Sequence, residues 1–146
     1  MKKKFLFLLI ILIFLVACTN MKINQNSRIK TNELKPDINS GIFVCQILIN
    51  GNPAKEFNIY LSEIITDDSG KEIMTRFDRT SILRSSPDEN GNFVILDVPP
   101  GRYGLIADYV SHAISLENSS DGSTILFTVE KNKVLDLGVL EFPVLE

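Results

Sequence analysis

The stretch that decides the fold reads Asp88-Glu89-Asn90-Gly91-Asn92-Phe93-Val94-Ile95-Leu96-Asp97-Val98-Pro99-Pro100-Gly101-Arg102-Tyr103-Gly104-Leu105. It opens with a turn sequence, because Asn and Gly tolerate a positive φ and Asp bonds its own backbone two residues on. Apolar residues then recur at alternate positions, as in a half-buried strand. Pro-Pro-Gly ends that strand, and we expect Gly101 to need a conformation that β-branched residues adopt poorly. The stretch predicts a turn, a strand, a tight turn and a second strand.

The rest of residues 41–146 repeats this pattern of short apolar segments separated by turns. Asn50-Gly51 is a strong hairpin signal. Further strands are predicted at residues 42–49, 57–61, 73–77, 81–84, 103–110, 124–129 and 134–142. About seven or eight strands at a spacing of roughly ten residues are typical of a sandwich or barrel. We therefore predict one all-β domain with antiparallel strands, since short turns need no crossover helix.

The first 17 residues have the pattern of a secretory signal. Three lysines precede Phe5–Val16, an apolar run of 12 residues, whereas a membrane-spanning helix needs about 20. The run ends in Leu15-Val16-Ala17-Cys18, which resembles the lipobox of bacterial lipoproteins. That resemblance implies cleavage before Cys18 and its lipidation with diacylglycerol and acyl chains such as palmitate. The alternative is an ordinary secretory signal with an incidental cysteine.

A lipidated Cys18 predicts an anchored protein. We expect it at the cell membrane or outer membrane, facing outside the cytoplasm. Residues 18–40 are rich in Asn, Lys and Ser and predict a flexible tether. Residues 41–146 carry 8 basic and 16 acidic residues, a formal charge of −8. This acidic balance argues against a nucleic-acid partner, which requires basic patches.

Several short motifs of the domain resemble those of the carboxypeptidase regulatory-like domains. They are Gly41-Ile42-x-Val44, Asn50-Gly51-x-Pro53, Asn58-Ile59-Tyr60-Leu61, Asp88-x-Asn90-Gly91-x-Phe93, Val98-Pro99-Pro100-Gly101-x-Tyr103 and Asp136-Leu137-Gly138. The resemblance implies a single antiparallel, seven-stranded, prealbumin-like (transthyretin-like) sandwich. It implies no catalysis, and roles as a stalk, spacer or binding module at cell surfaces. The segment from residue 63 to residue 86, with its charged loop Asp78-Arg79, is longer than the family usually carries.

One group of residues could support hydrolysis. His112 follows Ser111 and lies near Asp108 in sequence, and these are the residue types of a catalytic triad. Neighbouring residues on a strand point to opposite faces, so we expect Ser111 and His112 not to cooperate. We assign no catalytic residue, and a hydrolase that uses Asp108 and His112 stays the alternative from another functional class.

Metal and cofactor sites are not expected. Zinc sites use about four Cys, His or carboxylate ligands, and the chain has one His and two Cys. Asp67-Asp68 and Asp88-x-Asn90 are oxygen-rich turns of the kind calcium accepts, although turn formation explains these residues equally well. If Cys18 is lipidated, Cys45 has no disulfide partner, and its apolar strand predicts a small buried hydrophobe.

The three tyrosines are candidates for a binding surface. Tyr60, Tyr103 and Tyr109 could line a glycan surface or serve as core and corner residues. Taken together, the sequence predicts a membrane-anchored envelope lipoprotein that acts as a non-catalytic binding or accessory module. Its partners would be the membrane, through the lipid, and an envelope protein or glycan. A purely structural spacer is the alternative.

Overall fold

The computed structural model describes residues 28–74 and 77–143, which form ten β-strands and a short 3-10 turn, Thr31–Glu33. The predicted signal peptide and Cys18 lie outside the described residues. The strands are β1 (Gly41–Ile49), β2 (Asn52–Pro53), β3 (Asn58–Thr66), β4 (Glu72–Met74), β5 (Arg84–Ser85), β6 (Asn92–Val98), β7 (Gly101–Asp108), β8 (Ala113–Ser115), β9 (Leu126–Val129) and β10 (Val134–Phe142). Four of these have only two or three residues, so the strand count is close to the seven predicted.

The first sheet is built around β1. Strand β10 pairs with one edge of β1, and β6 and the short β2 pair with the other edge. The β1–β10 pair is parallel, whereas the other strand pairs of the described chain are antiparallel. This departure from the predicted pattern has a topological cause. Strand β9 belongs to the second sheet, so the chain crosses between sheets before β10, and no hairpin dictates the direction of β10.

The second sheet is built around the antiparallel pair of β3 and β7. Strands β4 and β5 pair with the free edge of β3, and β8 and β9 pair with the free edge of β7. The predicted strand at residues 73–77 corresponds to β4. The predicted strand at residues 81–84 is wrong, because only Arg84 of that range enters a strand. Residues 81–83 form a loop.

The core lies between the two sheets. Alternate residues of β1, namely Phe43, Cys45 and Ile47, pack there with Leu61 and Leu105 of the second sheet, as period-2 alternation predicts. The rings of Phe43 and Phe127 stack across the sheets at 4.9 Å between centroids. The structure thus confirms the predicted all-β sandwich. Within the described residues, none of the helical segments has the length and apolar character needed to cross a membrane.

The outer face of the first sheet is also covered. Ile42, Val44 and Leu48 alternate with the core residues of β1, yet each is 3% exposed. Residues 28–40, here called the N-terminal strap, run beside this face. Arg28 reaches Asp136 of β10 with two hydrogen bonds of 2.6 and 2.7 Å. The part of the predicted tether nearest the domain therefore contacts it.

Candidate ligand-binding cleft

Residues 77–83, here called the covering loop, fold over the outer face of the second sheet. Ile59 and Leu61 of β3 lie in the core, so Tyr60 between them points outward. Tyr60 is nevertheless only 3% exposed, because Phe77 packs edge-on against its ring at 5.1 Å. The Tyr60 hydroxyl donates to the Arg79 carbonyl at 3.3 Å. A loop that sequence patterns leave unstructured thus forms a second layer on this sheet.

An ion pair fixes the covering loop to β7. The Arg79 guanidinium donates from Nε and Nη2 to the two carboxylate oxygens of Asp108, at 2.9 and 2.8 Å. It also donates to the Val110 carbonyl at 2.7 Å. These hydrogen bonds hold the pKa of Asp108 below its usual value, against the opposing effect of burial. We call this pair the Arg79–Asp108 latch.

The covering loop leaves a cleft of about 360 Å³ between itself, β3 and the Pro99-Pro100 turn. This volume lies in the range of small-molecule sites. The walls combine aromatic rings and prolines with hydroxyl and carboxylate groups. The lining residues are Tyr60, Leu61, Ser62, Glu63, Phe77, Asp78, Ser81, Leu83, Pro99, Pro100 and Tyr103.

Two polar walls of the cleft are held by local hydrogen bonds. Asp78 Oδ1 accepts from the backbone amide and the hydroxyl of Thr80, both at 2.8 Å. On the opposite side, the Tyr103 hydroxyl donates to the Pro99 carbonyl at 2.9 Å and ties β7 to the turn before it. Burial, and then the charge of Glu63, raise the pKa of Tyr103, so it is a neutral donor near pH 7. The site is therefore preformed.

The three tyrosines divide between two places. Tyr60 and Tyr103 are buried and line the cleft. Tyr109 lies at the far end of β7 beside another cavity of about 330 Å³, where its ring packs on Phe57 at 4.9 Å. They do not form one continuous aromatic surface. Phe77, which is half-buried above Tyr60, is the aromatic residue that sequence reasoning did not single out.

Ser111 and His112, two residues of the hydrolase alternative, lie closer together than strand alternation predicts. Ser111 Oγ lies 3.0 Å from His112 Nδ1, so the prediction that they cannot interact is wrong. Both belong to a tight turn between β7 and β8, where strand alternation does not apply. Asp108, however, binds Arg79 and the Val110 amide. Asp108, the acid that would orient His112 in a triad, is instead bound to Arg79 in the latch.

The aspartates of the oxygen-rich turns accept hydrogen bonds from backbone amides of the same turns, which explains their presence there. Asp67 Oδ1 accepts from the amides of Ser69 and Lys71 at 2.9 Å each, and Asp88 Oδ1 accepts from those of Asn90 and Asn92. Across the described ranges, no three His, Cys, Asp or Glu residues cluster as metal ligands would. These acids therefore act as turn formers.

Cys45 is a free thiol in the core. It is 1% exposed, and burial, with a smaller effect of Asp136, raises its pKa far above the usual value. A thiol in this state is unreactive, because the nucleophile is the thiolate. The prediction of a small buried hydrophobe at this position is confirmed.

A larger cavity of about 740 Å³ lies between the N-terminal strap and β10. It is open and lined mostly by polar residues of the strap, with Val139 and Glu141 opposite. Gln46 on its floor donates to the Asn90 carbonyl, while its Oε1 is a buried acceptor without a partner in the described chain. This cavity lacks the aromatic surface that the cleft offers.

Comparison with known proteins adds little to this geometry. No protein-family model matches the sequence, and no curated protein is similar to it. Among solved structures, a Pseudomonas aeruginosa protein provisionally described as a carbohydrate binding protein matches with a TM-score of 0.40 and 14% identity. The match covers 77% of this chain and 94% of that chain. Such a likeness is too distant to assign a function.

Proposed function

We propose that this chain is a lipid-anchored protein of the cell envelope whose sandwich domain is a non-catalytic module that binds carbohydrate. One observation carries the binding part: a preformed cleft that joins the aromatic ring of Phe77 to hydroxyl and carboxylate groups. Sugars present apolar C–H faces and hydroxyl edges together, so a site with an aromatic wall and a few fixed polar groups matches them.

The polar groups of the cleft suit hydroxyl donors and acceptors. Ser62 and Ser81 contribute hydroxyls, which both donate and accept. Glu63 and Asp78 contribute carboxylates, which accept from sugar hydroxyls. The cleft is small, so it would take a terminal sugar or a short section of a glycan rather than a folded partner.

The proposal includes no catalysis, because two acids that could serve a reaction, Asp108 and Asp78, have structural roles. Asp108 serves the latch, and Asp78 is fixed by its own turn. His112 stacks on Tyr109 at 5.1 Å, at the end of β7 remote from the Pro99-Pro100 turn.

Lipid anchoring rests on the pattern around Cys18 and on the resemblance to the lipobox. A Cys18→Ser variant should lose metabolic labelling with palmitate and move from the membrane fraction to the soluble fraction. Cys45→Ser is the matched control and should keep both labelling and membrane retention. Unchanged retention and labelling of the Cys18→Ser variant would contradict the anchoring.

Carbohydrate binding is tested with the full-length protein in detergent on a glycan array, followed by calorimetry of each hit. Phe77→Ala should weaken binding by about tenfold or more, because an aromatic wall residue typically dominates such a site. Leu96→Ala is the control, because Leu96 is an apolar residue that is 56% exposed on the other sheet. Equal binding by both variants would place the ligand elsewhere, and no binding from a folded protein would favour the spacer alternative.

A further inference from the structure

A buried acceptor on the outer face of the first sheet has no hydrogen-bond partner. Gln46 alternates with the core residues Cys45 and Ile47 of β1, so its side chain lies on the outer face. Gln46 is 3% exposed, and its Oε1 has no partner within the described chain. A buried polar atom without a partner destabilises a fold, and such atoms are rare in proteins. The atom therefore points to a donor group that completes it.

The other end of the amide fixes its orientation. Gln46 Nε2 donates to the Asn90 carbonyl at 2.8 Å. A carbonyl can only accept, so the nitrogen and not the oxygen must face Asn90. Asn90 lies beside β6, whereas on the other side of β1 Gln46 pairs with Val139 of β10. Oε1 is therefore directed away from β6 and toward the cavity of about 740 Å³ that Gln46 and Val139 both line.

This cavity is built from two separate parts of the chain. Its floor is the outer face of the first sheet, where Asp136, Val139 and Glu141 of β10 lie beside Gln46. Its other wall is formed by residues 28–32 of the N-terminal strap. The ion pair of Arg28 with Asp136 joins the two walls. A ligand in the cavity therefore contacts the strap and the sheet together.

The lining favours an uncharged ligand that is rich in hydroxyl groups. Its charges balance, because it holds two basic and two acidic residues, namely Arg28, Lys30, Asp136 and Glu141. Thr31 and Asn32 add a hydroxyl and an amide, which both donate and accept. A buried neutral acceptor rejects a ligand that has no hydroxyl or amide donor to offer it. Ile29 and Val139 add apolar surface for the C–H groups of a sugar.

From these observations we infer that the cavity between the strap and β10 binds an uncharged oligosaccharide, one hydroxyl of which donates to Gln46 Oε1. This site shares no lining residue with the cleft of the proposed function. Binding here does not depend on binding there. An oligosaccharide in the cavity also holds the strap against the domain, because it contacts both walls.

The first experiment is calorimetry of the full-length protein in a detergent without a sugar head group. The ligands are maltotriose, cellotriose, the N-acetylglucosamine trimer, the galacturonate trimer and trialanine. At least one neutral trimer should bind about tenfold or more tightly than the galacturonate trimer, because a lining with balanced charges does not compensate the desolvation of three carboxylates. No binding of the neutral trimers, or equal binding of galacturonate or trialanine, would overturn the inference.

Variants assign the binding to the cavity. Gln46→Met removes the acceptor at similar volume and should weaken binding about tenfold or more. Its Tm should equal or exceed that of wild type, because the Asn90 carbonyl lies in an exposed turn where water replaces the lost donor. Val139→Phe fills the cavity from an exposed position and should also prevent binding. Leu96→Phe is the matched control, since Leu96 is exposed on β6 and does not line the cavity.

The cleft variant Phe77→Ala separates this inference from the proposed function. Loss of binding in Gln46→Met with binding kept in Phe77→Ala supports the inference and leaves the cleft to its own test. Loss in Phe77→Ala alone would assign the sugar to the cleft, which supports the proposed function and overturns the inference. Loss in both variants supports both sites only if wild type binds two trimers per chain, and at one trimer per chain it overturns the inference.

The strap supplies a second readout. A saturating neutral trimer should slow tryptic cleavage after Lys30 several-fold in wild type, because a ligand that bridges strap and sheet opposes local opening. The same trimer concentration should leave the cleavage rate of Gln46→Met unchanged. An unchanged rate in saturated wild type would place the sugar away from the strap and overturn the inference.

Discussion

Arg79 of the covering loop and Asp108 of β7 form a two-pronged ion pair in which the acid is only 3% exposed. The two residues are separated by 29 positions in sequence. Their pairing turns a long irregular segment into one wall of a cleft. The planar guanidinium matches a carboxylate with two parallel hydrogen bonds, so the pair fixes the direction of the loop as well as its distance from the sheet.

We predict that breaking this pair frees the covering loop while the sandwich stays folded. Asp108→Asn and Arg79→Lys should each raise the rate of amide hydrogen exchange in residues 77–83 about tenfold or more, because lysine cannot reproduce the two-pronged geometry. Lys133→Gln is the control, since it removes a cation from an exposed local pair with Glu130. Wild-type exchange rates in both latch variants would show that the loop is held by Phe77 and Tyr60 instead.

The latch should also release in acid. Hydrogen bonds from Arg79 lower the pKa of Asp108 relative to the unfolded chain, so the carboxylate stabilises the fold above the unfolded pKa of about 4. That contribution is lost as the pH falls through the still lower pKa of the folded state. Protection of residues 77–83 should therefore be constant from pH 7 to about 5 and should decline below about 4.

The acid dependence needs a comparison, because other carboxyl groups contribute to it. Hydrogen bonds from Ser69 and Ser123 also lower the pKa values of Asp67 and Asp121. The measurement is therefore the difference between wild type and Asp108→Asn in loop exchange at each pH. This difference should shrink in acid. A constant difference down to pH 2 would contradict the assignment to Asp108.

Gly91 is the position at which the backbone and its surroundings require glycine most strictly. Gly101 has no such requirement. Gly91 has a φ of +75°, and a Cβ at this position would lie 2.5 Å from the Ile47 carbonyl oxygen. Gly101 has an ordinary φ, and the nearest atom to its Cβ position is 3.4 Å away, in the Tyr103 ring. The expectation of a special conformation at Gly101 is therefore wrong. The positive φ in this region belongs instead to Asp97, at 53°, which lies inside β6 where its register with β1 shifts.

A pair of alanine variants tests this distinction. Gly91→Ala should lower the free energy of unfolding by roughly 2–4 kcal/mol, because it combines backbone strain with a backbone clash. Gly101→Ala should change it by less than about 1 kcal/mol. Urea unfolding followed by circular dichroism measures both. A larger loss for Gly101→Ala than for Gly91→Ala would mean that the turn geometry is different.

Sequence patterns predicted the sandwich because its signals are local. Alternation in β1 and β3 and the Asn-Gly turns each specify their own conformation. Period-2 patterns do not encode what covers an outward face, so the packing of Phe77 and its loop over Tyr60 was not foreseen. The parallel β1–β10 pair was missed for a similar reason, since partner choice depends on contacts distant in sequence.

The sequence did not predict the candidate cleft, because none of its lining residues belongs to a recognisable binding motif. Glu63, Phe77 and Asp78 lie on a strand and a loop that meet only after the chain folds back over the sheet. The usable signal was the unusual length of the segment between residues 63 and 86, together with its charged Asp78-Arg79 pair. Insertions of this kind often carry function, because a rigid scaffold tolerates them.

The contact of Arg28 with Asp136 gives a last prediction, which concerns the strap. The pair is partly exposed, with 36% and 30% of the two side chains accessible, so Arg28→Gln should change the free energy of unfolding by less than about 1 kcal/mol. The same variant should nevertheless loosen the strap and accelerate tryptic cleavage after Lys30 several-fold, because local opening governs proteolysis. Arg28 is the better site to change, since Asp136 also accepts from the Gly138 amide.

The matched control for the strap is Glu33→Gln, which removes an exposed local pair with Lys30 and leaves the cleavage site after Lys30 in place. It should leave the rate of cleavage close to that of wild type. If Arg28→Gln and Glu33→Gln are cleaved equally fast, the strap is held by contacts other than the ion pair to β10. If wild type is itself cleaved as fast as an unfolded peptide, residues 28–40 belong functionally to the flexible tether, and the outer face bearing Ile42 and Val44 is open to a partner.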